Sequence, residues 1–297
     1  MLITFLGTSC MQPTKERAHP AVLLTYKGEH ILFDCGEGTQ RQLKLAGIKP
    51  SKISKICITH WHGDHCLGLP GLLQTMAASD YSGTLHLFGP KGSKTFFSKM
   101  FDWFEAPEPL NIEVHEYSKG STMVDTSDYT IEALPMKHGT PCIGYSFMQK
   151  DTRRINKAFV KKEGIPEGPL LGKLQSGKSI IYEGKKITVD QATTIVNGKK
   201  FVYITDTLPT DNIVKLAKDA DILVLESTYH SDLREKAEQY FHLTAKDAGL
   251  LANEANVKKL ILTHFSQRYK EVQSLEEDAR NVFDNTESAE DFMKIKI

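Results

Sequence analysis

An α/β fold is predicted by three features of the sequence. Short runs rich in β-branched and aromatic residues alternate with helix-length stretches, Gly and Pro punctuate the joins, and no internal repeat or low-complexity tract breaks the alternation over 297 residues. With 40% hydrophobic and 25% charged residues, the composition is ordinary for a globular chain that buries a sizeable core. Runs over 2–6, 21–26 and 31–33, separated by Gly7, Pro13, Pro20 and Gly28, read as consecutive antiparallel strands. Asp34-Cys35-Gly36-Glu37-Gly38-Thr39 follows. Its glycines permit close backbone approach, and Asp34 either orients a neighbouring loop or caps the helix that begins near Thr39.

A helix over 40–46 ends at Gly47, and a strand over 53–59 leads to a helix over 67–78. Strand and helix then alternate, with strands over 84–88, 112–116 and 129–134 and a helix over 93–103. Regular strands resume over 201–205, 222–225 and 259–263, with helices over 211–219, 245–253 and 275–282. Between them, 150–186 carries ten Lys and Arg against four Asp and Glu, although the formal net charge of the whole chain is zero. A neutral body with one cationic stretch reads as a domain with an inserted basic arm, in which Arg153, Arg154, Lys161 and Lys162 are candidate contacts to a polyanion.

The chemistry concentrates in Thr59-His60-Trp61-His62-Gly63-Asp64-His65. Three imidazoles and a carboxylate this close each need a partner if buried, and a divalent cation satisfies all of them at once. His60 and His62, two apart in an extended stretch, fall on one side, whereas Gly63 lets the chain turn and sends Asp64 and His65 elsewhere. That suits two ions. No Cys-x-x-Cys pair is present, which argues against a closed structural zinc site.

Five strands end in a metal-capable side chain: His60, His138, Asp206, Glu226 and His264. Sites gather where strand ends meet, so residues far apart in sequence converge there. His60, His62 and His138 are expected to hold one ion and Asp64, His65 and His264 the other, with Asp206 bridging through its two oxygens. Imidazole-rich, thiol-free coordination favours zinc, with manganese or iron as further occupants. Two such ions activate water for displacement at phosphorus. Asp64 is then the candidate proton acceptor and His242, oriented by Glu226, the candidate donor to the leaving oxygen. His242 also reads as a polar residue leading into the helix after Thr244. His19, His30, His86, His115 and His230 lack a clustered partner in sequence and read as surface or satisfied core residues; His19 lies close to Lys15 and Arg17 in a candidate substrate loop.

The five cysteines, Cys10, Cys35, Cys57, Cys66 and Cys142, form no framework and fit a reducing compartment. Met1 leads straight into the first strand-like run and no apolar stretch reaches membrane-spanning length, so a cytoplasmic protein without membrane association is expected.

The His60–His65 cluster, with His138, Asp206 and His264 at later strand ends, resembles the metallo-β-lactamase superfamily. Phe5-Leu6-Gly7-Thr8-Ser9, the basic arm, and His242-Leu243-Thr244-Ala245 after Glu226 narrow the resemblance to the ribonuclease Z family, endonucleases that remove the 3′ trailer of precursor tRNA. The resemblance implies a four-layer αββα sandwich, one catalytic domain over 1–297 with an inserted tRNA-binding arm over 150–186, and two zinc ions per subunit. It also implies a homodimer in which one subunit's arm grips tRNA at the other's active site, and it places the family's proton acceptor on Asp64. Pro13-Thr14-Lys15-Glu16-Arg17-Ala18 resembles a family loop, Pro-x-Lys-x-Arg-Asn, that bears on cleavage position and the CCA end, with Ala18 where the family has Asn. Lys15 and Arg17 are therefore candidate substrate contacts. Two other readings compete. One is a hydrolase of small phosphodiesters or thioesters on the same scaffold, which has no use for a cationic arm. The other is a non-catalytic RNA-binding metalloprotein, which has no use for a complete ligand set open to water.

Overall fold

The computed structural model describes residues 1–103 and 110–297. Its chain divides into two units. The first comprises Met1–Val124, Ile131–Phe147 and Lys200–Ile297, and the second Asp125–Thr130 and Met148–Lys199.

The first unit is built on two seven-stranded sheets. One runs in the order Lys294–Lys296, Leu2–Gly7, Ala21–Tyr26, Glu29–Phe33, Ile53–Cys57, Leu85–Pro90, Ile112–Tyr117. Its first four strands pair antiparallel, as the sequence predicts for the start of the chain, and the remaining pairs are parallel. The other runs Thr286–Ser288, Leu260–Thr263, Ile222–Glu226, Lys200–Ile204, Cys142–Gln149, Tyr129–Met136, Ser121–Asp125.

Alternation along the strands produces the layers. On the first sheet Leu23, Leu32, Ile56 and Leu87 turn outward to Leu43, Leu69, Leu72 and Met76 of the helices Thr39–Leu45 and Leu69–Ala77. Neighbouring residues turn inward: Phe33 meets Tyr145 and Phe201 of the second sheet edge-on at ring-centroid distances of 5.8 and 5.4 Å. The outer face of the second sheet, including Val202, Leu223 and Leu262, packs on Ile213, Leu216, Ala248, Leu251 and Leu275 of the helices Asp211–Ala217, Ala245–Glu254 and Gln273–Arg280. The result is an αββα sandwich with its core in three apolar layers. Among the described residues no helix is long and apolar enough to cross a membrane.

Four strands of these two sheets escape the sequence pattern: Ser121–Asp125, Cys142–Gln149 and the three-residue edges Thr286–Ser288 and Lys294–Lys296. Cys142–Gln149 is a central strand whose first six residues are all buried, so it lacks the polar alternation that marks a half-exposed strand, and Gly144 disguises it further. Ser121–Asp125 is a sheet edge with no strong apolar signal. The helix expected over 67–78 is observed as Leu69–Ala77, and a separate short helix, Gly63–Cys66, precedes it; between the two, Gly68 passes against the Cys35–Gly36 backbone.

The second unit has its own small core of Val160, Ile165, Leu174, Ile180, Ile187 and Ala192. Strands Thr152–Ile155 and Thr193–Val196 pair antiparallel, and Ile180–Tyr182 forms a hairpin with Lys185–Ile187. The Asn156 side chain caps the helix Lys157–Lys162, and Thr188 and Gln191 form a capping box on Val189–Ala192. The basic stretch over 150–186 is thus part of a folded unit that continues to Lys199.

Candidate metal centre

Three buried strand ends turn through the left-handed region to present acid or imidazole: Asp34 (φ 56°) after Glu29–Phe33, Asp206 (φ 49°) after Lys200–Ile204, and His264 (φ 62°) after Leu260–Thr263. Asp and His are among the non-Gly residues that tolerate this conformation. His60 and His62 follow the strand Ile53–Cys57, and Asp64 and His65 sit on the short helix Gly63–Cys66. Gly36 makes this possible, since a Cβ there would lie 2.2 Å from the Asp64 carbonyl oxygen.

The ligand atoms form two sets. In one, His62 Nδ1 lies 3.0 Å from His60 Nε2 and 3.2 Å from His138 Nε2, and Asp206 Oδ2 lies 3.5 Å from His60 Nε2 and 3.9 Å from His138 Nε2. In the other, His65 Nε2 lies 3.2 Å from His264 Nε2 and 3.3 Å from Asp64 Oδ2, while Asp206 Oδ1 lies 3.0 and 3.4 Å from His264 and His65 Nε2. Asp206 turns one oxygen to each set.

Two observations test whether these residues fit a metal. Bonds of about 2.0–2.1 Å at tetrahedral angles place neighbouring donor atoms about 3.3 Å apart, and the separations given for the two sets, 3.0–3.9 Å, bracket that value. Asp206 Oδ1 is also buried without a hydrogen bond, an expensive state for a carboxylate unless a cation neutralises it. The outward nitrogens complete the pattern. His65 Nδ1 pairs with Asp34 Oδ2 at 2.8 Å, His138 Nδ1–H donates to the Phe241 carbonyl at 3.2 Å, and His264 and His60 Nδ1 meet the hydroxyls of Thr228 and Thr59 at 3.0 and 3.1 Å. Such partners aim Nε2 inward. The cluster fits divalent metal.

Asp34 therefore orients rather than caps. Its carboxylate accepts the Thr59 N–H at 2.8 Å and the Tyr203 hydroxyl at 3.0 Å besides holding His65, and the helix Thr39–Leu45 has Gly38 at its N-cap. Burial pushes His60 well below its ordinary pKa. For His65 and His264 burial is outweighed by facing carboxylates, Asp64 and Asp206 for the first and Asp206 for the second, which hold both well above.

Glu226 ends the strand Ile222–Glu226, fully buried, and is not among the residues whose ligand atoms form either set. Its oxygens accept the Thr207 N–H at 2.6 Å and the Thr228 hydroxyl at 2.7 Å, and Oε2 lies 3.1 Å from His242 Nδ1. Burial would depress His242, but Glu226 outweighs it and raises its pKa. A nitrogen of His242 comes within 4.8 Å of the ligand atoms of Asp206 and His264. The sequence offers no signal for one further participant, the Met11 backbone N–H, which donates to Asp64 Oδ2 at 3.0 Å.

The substrate-contact candidates separate. Lys15 is exposed, but Arg17 turns inward, donating to the Lys270 carbonyl at 3.4 Å and to the Tyr269 carbonyl, and so braces the loop. Within the second unit Arg153 bonds Asp190 at 2.9 Å and Thr193 at 3.1 Å, whereas Arg154, Lys161 and Lys162 are exposed. His19 supports Met11 by donating Nε2–H to its carbonyl at 3.1 Å, His30 meets the Thr25 hydroxyl, and His230 Nδ1 accepts the Asp232 N–H. His86 and His115 are partly exposed and meet across two strands, partners that their sequence spacing does not bring together. All five cysteines are free thiols, and burial pushes Cys66 up to about 12, leaving it inert beside the cluster.

A family model described as the metallo-beta-lactamase superfamily matches residues 14–146, and one described as a beta-lactamase superfamily domain matches residues 179–265. The chain is 40% identical over 291 residues to a ribonuclease Z of Protochlamydia amoebophila, covering 98% of this chain and 95% of the relative. It is 40% identical over 301 residues to one of Archaeoglobus fulgidus, covering 99% and 97%. Its fold matches the crystal structure of the short form of human tRNase Z with a TM-score of 0.74 at 29% identity, over 100% of this chain and 99% of that one.

Proposed function

The chain belongs to the ribonuclease Z family of the metallo-β-lactamase superfamily, it is an endoribonuclease of tRNA 3′ processing, and we propose that it works with two zinc ions per subunit. His60, His62 and His138 would hold one ion and Asp64, His65 and His264 the other, with Asp206 turning one oxygen to each set. Bound there, the ions supply the Lewis acidity that brings water to nucleophilic strength near neutral pH and offsets charge on the phosphate oxygens.

The protein's own groups then manage protons and position. Asp64, steadied by the Met11 N–H, takes the proton of the attacking water as the new P–O bond forms. His242, kept protonated by Glu226, gives a proton to the departing tRNA 3′-oxygen as the P–O3′ bond breaks, leaving a tRNA 3′-hydroxyl and a trailer that retains the phosphate. Lys15 and the exposed Arg154, Lys161 and Lys162 engage the precursor's phosphates. The protein acts in the cytoplasm as a homodimer, away from membranes, with the second unit of one subunit serving tRNA held at the other.

The observation that carries this reading is Asp206, whose two oxygens face two separate imidazole sets in a chain that matches ribonuclease Z over its length. Cleavage of precursor tRNA with and without CCA is the test. Chelation or Asp64→Ala is expected to abolish cutting while tRNA binding survives in a gel-shift assay. Hydrolysis of small phosphodiesters without any cutting of precursor tRNA would overturn it.

A further inference from the structure

Outside the catalytic cluster, His86 and Phe88 on the strand Leu85–Pro90 stand opposite Glu113 and His115 on the parallel edge strand Ile112–Tyr117. The pairing is His86 with Glu113 and Phe88 with His115, so all four side chains project from one face of the sheet. His86 Nδ1 lies 3.3 Å from His115 Nε2 and 3.3 Å from Glu113 Oε2, and His115 Nε2 lies 3.6 Å from the same oxygen. These three separations reproduce the donor spacing of about 3.3 Å that tetrahedral coordination imposes. The donors stand on hydrogen-bonded strands rather than a loop, and Phe88 stacks on the His115 ring at 4.9 Å and 19°, which fixes its plane. The side chains are about one-third to one-half exposed, leaving the fourth position open to water.

We propose that His86, Glu113 and His115 form a second, surface metal site for a borderline divalent ion such as zinc, which ties the edge strand Ile112–Tyr117 to its neighbour. Two imidazoles and one carboxylate with an open position match zinc, copper or nickel rather than magnesium or calcium, which prefer all-oxygen shells. The site shares no residue with the catalytic set and is independent of the proposed reaction.

Equilibrium dialysis of the full-length protein against zinc, with metal counted per chain, tests it. Wild type is expected to bind one ion more than His115→Gln and than Glu113→Gln, whatever number the catalytic cluster holds. Any residual binding at the altered site should be weaker by roughly tenfold or more. Both variants should keep wild-type cleavage and circular dichroism, and zinc should raise the melting temperature of wild type more than that of either variant. Equal zinc content in wild type and both variants would overturn the proposal and leave the trio a surface hydrogen-bond network.

Discussion

Asp291 joins three segments through one carboxylate: Oδ1 accepts the Thr8 hydroxyl at 2.9 Å, and Oδ2 accepts the Ala18 N–H at 2.8 Å and the Gln42 amide at 3.0 Å. It therefore holds the loop that carries Lys15. Burial pushes its pKa from 3.8 up to about 6, against the pull of the Ala18 and Thr8 donors. A carboxyl raised in the folded state contributes stability that is fully present below the unfolded value and is lost as pH rises through the folded one. Between pH 4 and 7 the stability of Asp291→Asn relative to wild type should therefore rise by up to about 3 kcal/mol. Urea melts at both pH values check this, and a pH-independent difference would refute it. His242 carries a second expectation at this scale: His242→Ala should lower kcat for precursor tRNA by roughly 10²–10⁴-fold with little change in KM. A change in KM alone would make it a binding residue.

The site depends on how elements end. Asp34, Asp206 and His264 each leave a strand through positive φ, strain that surrounding hydrogen bonds must hold in place. This explains how much of the site is legible in the sequence. A metal-capable residue at the last position of a β-branched run is visible as a pattern, so His60, His138, Asp206 and His264 can be read together. Met11 cannot, because its contribution is a backbone N–H with no side-chain signature. The contact of His86 with His115 is hidden because the two, 29 residues apart, are brought together only diagonally, through the strand register that sets His86 opposite Glu113 and Phe88 opposite His115. Cys142–Gln149 escapes notice because burial on both faces removes the alternation that marks a strand. The join between elements also offers a test. A Cβ on Gly68 would lie 2.0 Å from the Gly36 carbonyl oxygen, a backbone contact with no flexible end to yield. Gly68→Ala should displace the Asp64–His65 helix and lower retained metal, measured by emission spectrometry after dialysis. Asp34→Ala, which removes the partner of His65 Nδ1, should weaken metal binding by roughly 10–100-fold. Unchanged metal content in both would mean that these supports are dispensable.

At the scale of the molecule, the formal net charge is zero while 150–186 carries ten Lys and Arg against four Asp and Glu, and under the proposed function the folded unit that holds this stretch is the one that attracts the polyanion. The second unit's core includes Leu174, Ile180 and Ile187, so a cut ending near residue 178 would split that core and confound loss of charge with unfolding. Its ends suggest a cleaner excision, because the Gln149 N–H donates to the Lys199 carbonyl at 2.9 Å, so a tight turn replacing 151–198 would leave that pair intact. This deletion is expected to abolish most precursor-tRNA cleavage while hydrolysis of a bis-aryl phosphodiester continues, since the candidate metal ligands all lie in the first unit. Replacing Arg154, Lys161 and Lys162 together by Gln should give a graded version, flattening the log–log salt dependence of tRNA binding by about one for each phosphate that is no longer neutralised. If the deletion lowered both activities alike, the second unit would be a scaffold for the first. If the triple replacement left the salt slope unchanged, the exposed cations would lie off the tRNA path.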